Sequence, residues 1–249
     1  YLRMEGMTMR LVQQRDMGPD YDQLARHLFE VYRFRGVNDP DVHRDQDTER
    51  LLGNYRACVL ELAQEYKRQQ RPADMVRLME WAEQHVPLRW DGYFGGAEML
   101  RAVGQNDLAG RFLEQAALSL LAEYGTSEAA TYANIVGLAG MLAEPPLSQP
   151  QRAVHLYRQV IDRLPENWQA YHELAATLQA AGDVQGALEV VKGYLARHGT
   201  QEQMLEAERV LQGALALSQP ETSGGNPAAS GTGTPPAAGS DTFGGRIDP

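Results

Sequence analysis

Residues 153–199 read AVHLYRQVIDRLPENWQAYHELAATLQAAGDVQGALEVVKGYLARHG, and their spacing decides the fold. Ala153, Tyr157 and Pro165 are followed 34 positions later by Ala187, Val191 and Gly199. Upstream, Met75, Met79, Ala82 and Pro87 are echoed at the same interval by Ala109, Leu113, Ala116 and Leu121. Units of this length, each two amphipathic helices joined by a turn, cannot bury their apolar faces alone and must stack on one another. The pattern predicts an all-α chain, a right-handed α-solenoid of helix-turn-helix repeats. Such a solenoid offers a surface for partners more readily than a catalytic centre.

The period resembles that of the tetratricopeptide repeat, whose signature residues lie at positions 4, 7, 8 and 11 of helix A and 20, 24 and 27 of helix B, with proline at 32. A unit at 56–89 then gives Val59, Leu62, Ala63 and Tyr66, followed by Met75, Met79, Ala82 and Pro87. The next, 90–123, gives Tyr93, Gly96, Ala97 and Leu100, then Ala109, Leu113 and Ala116. The last, 168–201, gives Tyr171, Leu174, Ala175 and Leu178, then Ala187 and Val191. Small residues in this pattern let helices A and B cross closely. Gly104 and Gly182 suit left-handed helix ends between them.

One unit departs from the period. From 124 to 168 is 44 residues, and helices expected over 127–143 and 149–163 are joined by Glu144-Pro145-Pro146-Leu147-Ser148-Gln149-Pro150. The prolines rule out the usual tight turn, so a stiff excursion is expected to protrude here.

Three pieces follow along the chain. Residues 1–55 form an N-terminal segment with a short strand at Met7–Val12, a helix over 20–36 and an acidic loop. The strand is expected to pair with something outside the chain or to pack on the helices. Residues 56–218 form the repeat domain, closed by an amphipathic capping helix over 202–217. Residues 219–249, dominated by Gly, Pro, Ser, Thr and Ala, are expected to be a disordered tail.

Composition limits the chemistry. A formal charge of −10 disfavours a nucleic-acid backbone or an anionic membrane surface as partner. Cys58 is the only cysteine and reads as a buried thiol, not a disulfide or cluster ligand. The longest apolar run, Tyr132 to Ala143, is too short to span a bilayer. Asp39, Asp41, His43, Asp45 and Asp47 alternate suggestively for a hard cation, but the EF-hand glycine and terminal glutamate are missing. Capping of a helix by Asp45, Asp47 or Thr48 explains them better. No Walker, G-x-S-x-G or H-E-x-x-H motif occurs, so no enzyme activity, cofactor or metal is assigned to this segment.

The concave wall of helix A is the better candidate. Positions 2, 5, 9 and 12 of the frame give Gln64 and Lys67, then Asp91, Phe94, Glu98 and Arg101, then Gln169, His172 and Gln179. Polar groups around one aromatic suit a protein or peptide ligand. They do not match the Lys/Asn/Arg set by which chaperone-binding relatives grip a terminal carboxylate, since Ala57 and Leu60 occupy two of those places.

The N-terminal third carries a further likeness. Tyr1-Leu2-Arg3-Met4-Glu5-Gly6 and Met9-Arg10-Leu11-Val12, then Asp47, Asn54-Tyr55-Arg56, Leu62-Ala63 and Pro87, occur in that order. This run resembles the segment after the last membrane helices of a bacterial multi-pass family that is itself similar to protein O-mannosyltransferases and other C-fold glycosyltransferases. The resemblance covers residues 1–90; Gln13 replaces the usual proline after Arg-Leu-Val, and the tail has no counterpart. It implies a non-catalytic domain tethered to a membrane glycosyltransferase-like protein on the periplasmic face, with the catalytic acids elsewhere in that polypeptide. The alternative is a free-standing tetratricopeptide adaptor, which would be cytoplasmic.

Overall fold

A computed structural model describes residues 2–5, 7–11, 13, 18–37, 39, 41–124 and 129–218. Two short strands, β1 (Leu2–Glu5) and β2 (Thr8–Leu11), precede α1 (Tyr21–Arg26), α2 (Gln46–Arg68), α3 (Pro72–His85), α4 (Arg89–Ala102) and α5 (Asn106–Tyr124). Then come α6 (Ala129–Ala143), α7 (Pro150–Arg163), α8 (Trp168–Ala180), α9 (Val184–His198) and α10 (Glu202–Ser218). The molecule is an all-α helical-repeat solenoid. The pairs α2/α3, α4/α5, α6/α7 and α8/α9 stack in chain order, and α10 packs on α8 and α9 at the end. The tail assigned to 219–249 lies outside the described residues.

The signature positions build the core. Val59, Leu62, Ala63, Met75, Met79 and Ala82 are fully buried in the first pair. Ala97, Leu100, Ala109, Leu113 and Ala116 repeat this in the second, and Leu174, Ala175, Ala187 and Val191 in the fourth. Gly96 marks the closest approach of α4: a Cβ there would lie 2.4 Å from Met79 Cε and 2.9 Å from Phe112 Cδ1.

Two A-to-B turns share one hydrogen-bond pattern. Gln105 N–H donates to Leu100 O and Gly104 N–H to Arg101 O; Asp183 and Gly182 do the same to Leu178 and Gln179. Both glycines sit at positive φ, +77° and +87°, as this helix end requires. The α2–α3 turn makes the same bonds, Arg71 to Tyr66 and Gln70 to Lys67, with Gln70 at φ 56°. A side chain in that region costs about 1 kcal/mol relative to glycine.

The α6–α7 connection does not protrude, contrary to the expectation from its prolines. Leu147 is buried at 5% exposure and points the loop inward. Asn106 Nδ2 donates to Pro146 O at 2.9 Å, and Gln149 Nε2 returns a bond to Asn106 O at 2.8 Å. The loop is thus stitched to the first turn of α5. Part of the extra length goes to α5, which runs 19 residues where α3 and α7 run 14, and part stays in the 144–149 connection itself.

Two N-terminal expectations also change. The strand finds its partner within the chain: β2 pairs antiparallel with β1, Arg3 opposite Arg10 and Met4 opposite Met9. The hairpin is tied to α1 by an Arg3–Asp20 ion pair of 2.5 Å and by Asp20 N–H to Met4 O. The helix read over 20–36 ends in a wider turn at His27–Val31, and Tyr32 is extended. This frees Tyr32 and Phe34 to pack edge-on against Tyr55, with Phe34 also meeting Trp81. Aromatic packing there outweighs one more helical turn.

The second helices of successive pairs are linked by surface ion pairs. Arg111 of α5 reaches Glu83 of α3 at 2.9 Å, and Arg152 of α7 pairs with Glu114 of α5. Each contributes at most about 1 kcal/mol, so burial, not charge, holds the stack.

Candidate functional site

Helices α2, α4, α6, α8 and α10 line one wall. Along it α2 lies against α4, α6 against α8, and α8 against α10. Between α4 and α6 the spacing opens: among the described residues, no Cα of one comes within 8 Å of the other. The long α5 fills the base of this gap with Leu120. Above it is a hollow of about 410 Å³, walled by half-buried Trp90 and Phe94 of α4 and by Asn134, Leu138 and Met141 of α6. Ala133 and Gly137 keep the α6 side low; a Cβ at Gly137 would meet nothing within 4 Å.

The same two small residues border the next hollow, about 510 Å³, where Trp168, Gln169, His172 and Glu173 of α8 face Gln203 of α10. His172 Nδ1 lies 3.4 Å from Glu173 Oε1, and its ring meets Trp168 edge-on at 6.2 Å. His172 and Gln203 in turn border a third hollow with Gln179, Glu206 and Val210. Three hollows therefore adjoin along α4–α10, with no Lys or Arg among their lining residues.

The sequence-derived wall residues are not gathered at one point. Gln64 and Lys67 border a separate hollow near α1 with Tyr21, Glu61 and Met99. Phe94 stands in the α4–α6 gap, Gln169 and His172 in the next hollow, and Gln179 in the last. Glu98 and Arg101 pair with each other along α4, at 2.9 and 3.2 Å, and Asp91 is exposed without bordering these hollows. Frame counting missed Trp90, Asn134, Met141 and Glu173. The pair Trp90 and Phe94, four apart on one helix face, was a legible signal.

The acidic loop has structural duties. Asp45 Oδ1 accepts from Thr48 N–H at 2.7 Å and caps α2, and Asp39 Oδ1 accepts from Asp41 N–H. Arg44 Nη2 donates to the carbonyls of Gly36, Val37 and Asp39. Among the described residues no three His, Cys, Asp or Glu side chains converge on a metal position.

Buried groups show the polarity of the core beneath the wall. Burial, with the Glu61 charge second, pushes the Cys58 thiol up to about 11. Burial likewise raises the Tyr157 hydroxyl to about 12, with Glu173 adding and a hydrogen bond to Thr177 opposing. Glu65 moves the other way: Arg68 donates Nε and Nη2 to its two oxygens at 2.7 and 2.5 Å, and Gln69 adds a third bond. These hold its carboxyl below the usual range.

The class defined by this geometry is an all-α helical-repeat solenoid with hollows along one wall. Residues 147–209, covering α7 to α9 and half of α10, match the tetratricopeptide repeat family. Among solved structures, one from Podosopora anserina, of nearly identical TPR-like repeats named for kinesin light chain, is 21% identical, with 64% of this chain and 86% of that chain covered and a TM-score of 0.38. The MamA protein is 15% identical, with 66% and 82% covered and a TM-score of 0.32. No curated protein matches the chain. Among the described residues, no helix is long and apolar enough to cross a membrane.

Proposed function

We propose that the chain is a non-catalytic binding scaffold that receives an extended peptide segment of a protein partner along α4–α10. The observation that carries this is the opened α4–α6 step. Two aromatic rings stand half-buried across the gap from the low side formed by Ala133 and Gly137, leaving room for a side chain that the fold itself does not supply. The polar groups beyond it, Gln169, His172, Gln179 and Gln203, can hydrogen-bond a backbone. A displayed random-peptide library should enrich sequences with an apolar anchor. The variant Trp90→Ala/Phe94→Ala should lose at least tenfold in affinity for them; equal affinity would overturn the reading.

The finer proposal is that this scaffold serves the extracytoplasmic part of a membrane glycosyltransferase-like protein and presents acceptor proteins or partner subunits to it. Its support is the likeness over residues 1–90. Reading the gene upstream tests it: a continuous frame encoding apolar spans supports the proposal, and a start codon directly before Tyr1 would sink it.

A further inference from the structure

Helix α6 carries no charged side chain, and those of α8 and α10 are Glu173, Glu202, Glu206, Glu208 and Arg209. Of these only Glu173 and Glu206 border the hollows, Glu173 in the one beside the α4–α6 gap and Glu206 in the last. Glu173 is half-exposed, with the His172 ring nitrogen 3.4 Å away, and Glu206 is exposed. On α4, the cation that frame counting put on the wall, Arg101, is held by Glu98 at 2.9 Å. Resting on the groove reading above, we propose that the partner segment is basic. Its apolar anchor fills the α4–α6 hollow, and Lys or Arg residues three and six positions along meet Glu173 and Glu206.

Order along the wall sets the pattern. The α4–α6 hollow shares Ala133 and Gly137 with the next one, which shares His172 and Gln203 with the last. An apolar socket is thus followed by one carboxylate and then another. Neighbouring helices in a stack stand roughly 8–10 Å apart. Three extended residues cover about 10 Å, so each hollow is one three-residue step from the last. Between the carboxylates, Gln169, Gln179 and Gln203 offer donors and acceptors but no charge. A segment with acidic residues at the same two positions would meet like charge at both, which sets partner choice by repulsion as well as attraction. Each pair is solvent-exposed and contributes at most about fivefold in affinity. The anchor therefore holds the partner, and the two carboxylates select it.

The test is a displayed random-peptide library selected against three full-length chains. These are the native chain, Glu173→Gln/Glu206→Gln, and Asp162→Asn/Glu189→Gln, whose residues border a different hollow between α7 and α9. Each variant removes two negative charges, so general attraction of basic peptides to a chain of formal charge −10 falls equally in both. The native and Asp162→Asn/Glu189→Gln chains should return an apolar anchor with Lys or Arg three and six residues away. Glu173→Gln/Glu206→Gln should return the anchor without the cations. A peptide selected on the native chain should bind that variant about tenfold more weakly at low salt. In 1 M salt, where the screening length is about 3 Å, the difference should fall below about twofold. Anchored peptides with no preference for cations overturn the proposal and leave the groove reading standing. So does a preference that survives in Glu173→Gln/Glu206→Gln, or one that vanishes equally in both variants. Selections that return no apolar anchor overturn both.

Discussion

The α6–α8 step and the α4–α6 step are built from similar helices, yet the helices touch in one and stand apart in the other. At α6–α8 the helices touch, with the short α7 behind them, and the hollow beside the contact is walled by polar Gln169, His172, Glu173 and Gln203 as well as Trp168. At α4–α6 the longer α5 carries Leu120 into the base of the gap, and α6 presents Ala133 and Gly137 toward it. An irregular repeat length has thus become an apolar hollow without exposing the core. In a solenoid held by neighbour contacts, one altered unit can widen one step while the rest keep their spacing.

The largest effect is expected where α4 is pinned on its closed side. Gly96→Val would drive methyl groups into Met79 and the buried Phe112 ring and should cost about 3 kcal/mol in denaturant unfolding. A cost below about 0.5 kcal/mol would mean that α4 is not held there. Next comes the loop beside the open step. Leu147→Ala should lose about 2 kcal/mol because Leu147 is a core residue, whereas a protruding loop would show no change.

Cys58 probes the closed α2–α4 region through pH. Its folded pKa of about 11 exceeds the ordinary 9.0, so the contribution is fully present below pH 9 and is lost as pH rises toward 11. The native chain should lose up to about 2 kcal/mol more than Cys58→Ala over that window. A thiol reagent at pH 8 should spare Cys58 in the folded chain while labelling Ala133→Cys in the hollow rapidly. Rapid labelling of both would erase the distinction between the steps. Smallest is the turn: Gln70→Gly should stabilise by about 1 kcal/mol, bringing the α2–α3 turn to the chemistry of Gly104 and Gly182.

Periodicity made the regular part of the fold legible. Ala109, Leu113, Ala187 and Val191 lie where the 34-residue interval put them, because each small or branched residue answers to a neighbour at fixed distance. The interval failed at the unit from 124 to 168, and with it went the frame for choosing wall residues. Asn134, Gly137 and Met141 were therefore invisible, while Phe94 was found. At the 144–149 loop the prolines are the conspicuous signal in the sequence, but the burial of Leu147 decides its direction. Strand pairing hides for a similar reason: the alternation at Met7–Val12 stands out by itself, although its partner Leu2–Glu5 lies one turn away.

One measurement bears most directly on the open step as the binding site: the affinity of a library-selected peptide for Gly137→Leu. The substitution places a side chain in open space on an exposed helix face, so the melting temperature should hold or rise. The account predicts that affinity falls at least tenfold as the hollow fills. Unchanged affinity in a fully folded Gly137→Leu chain would contradict it.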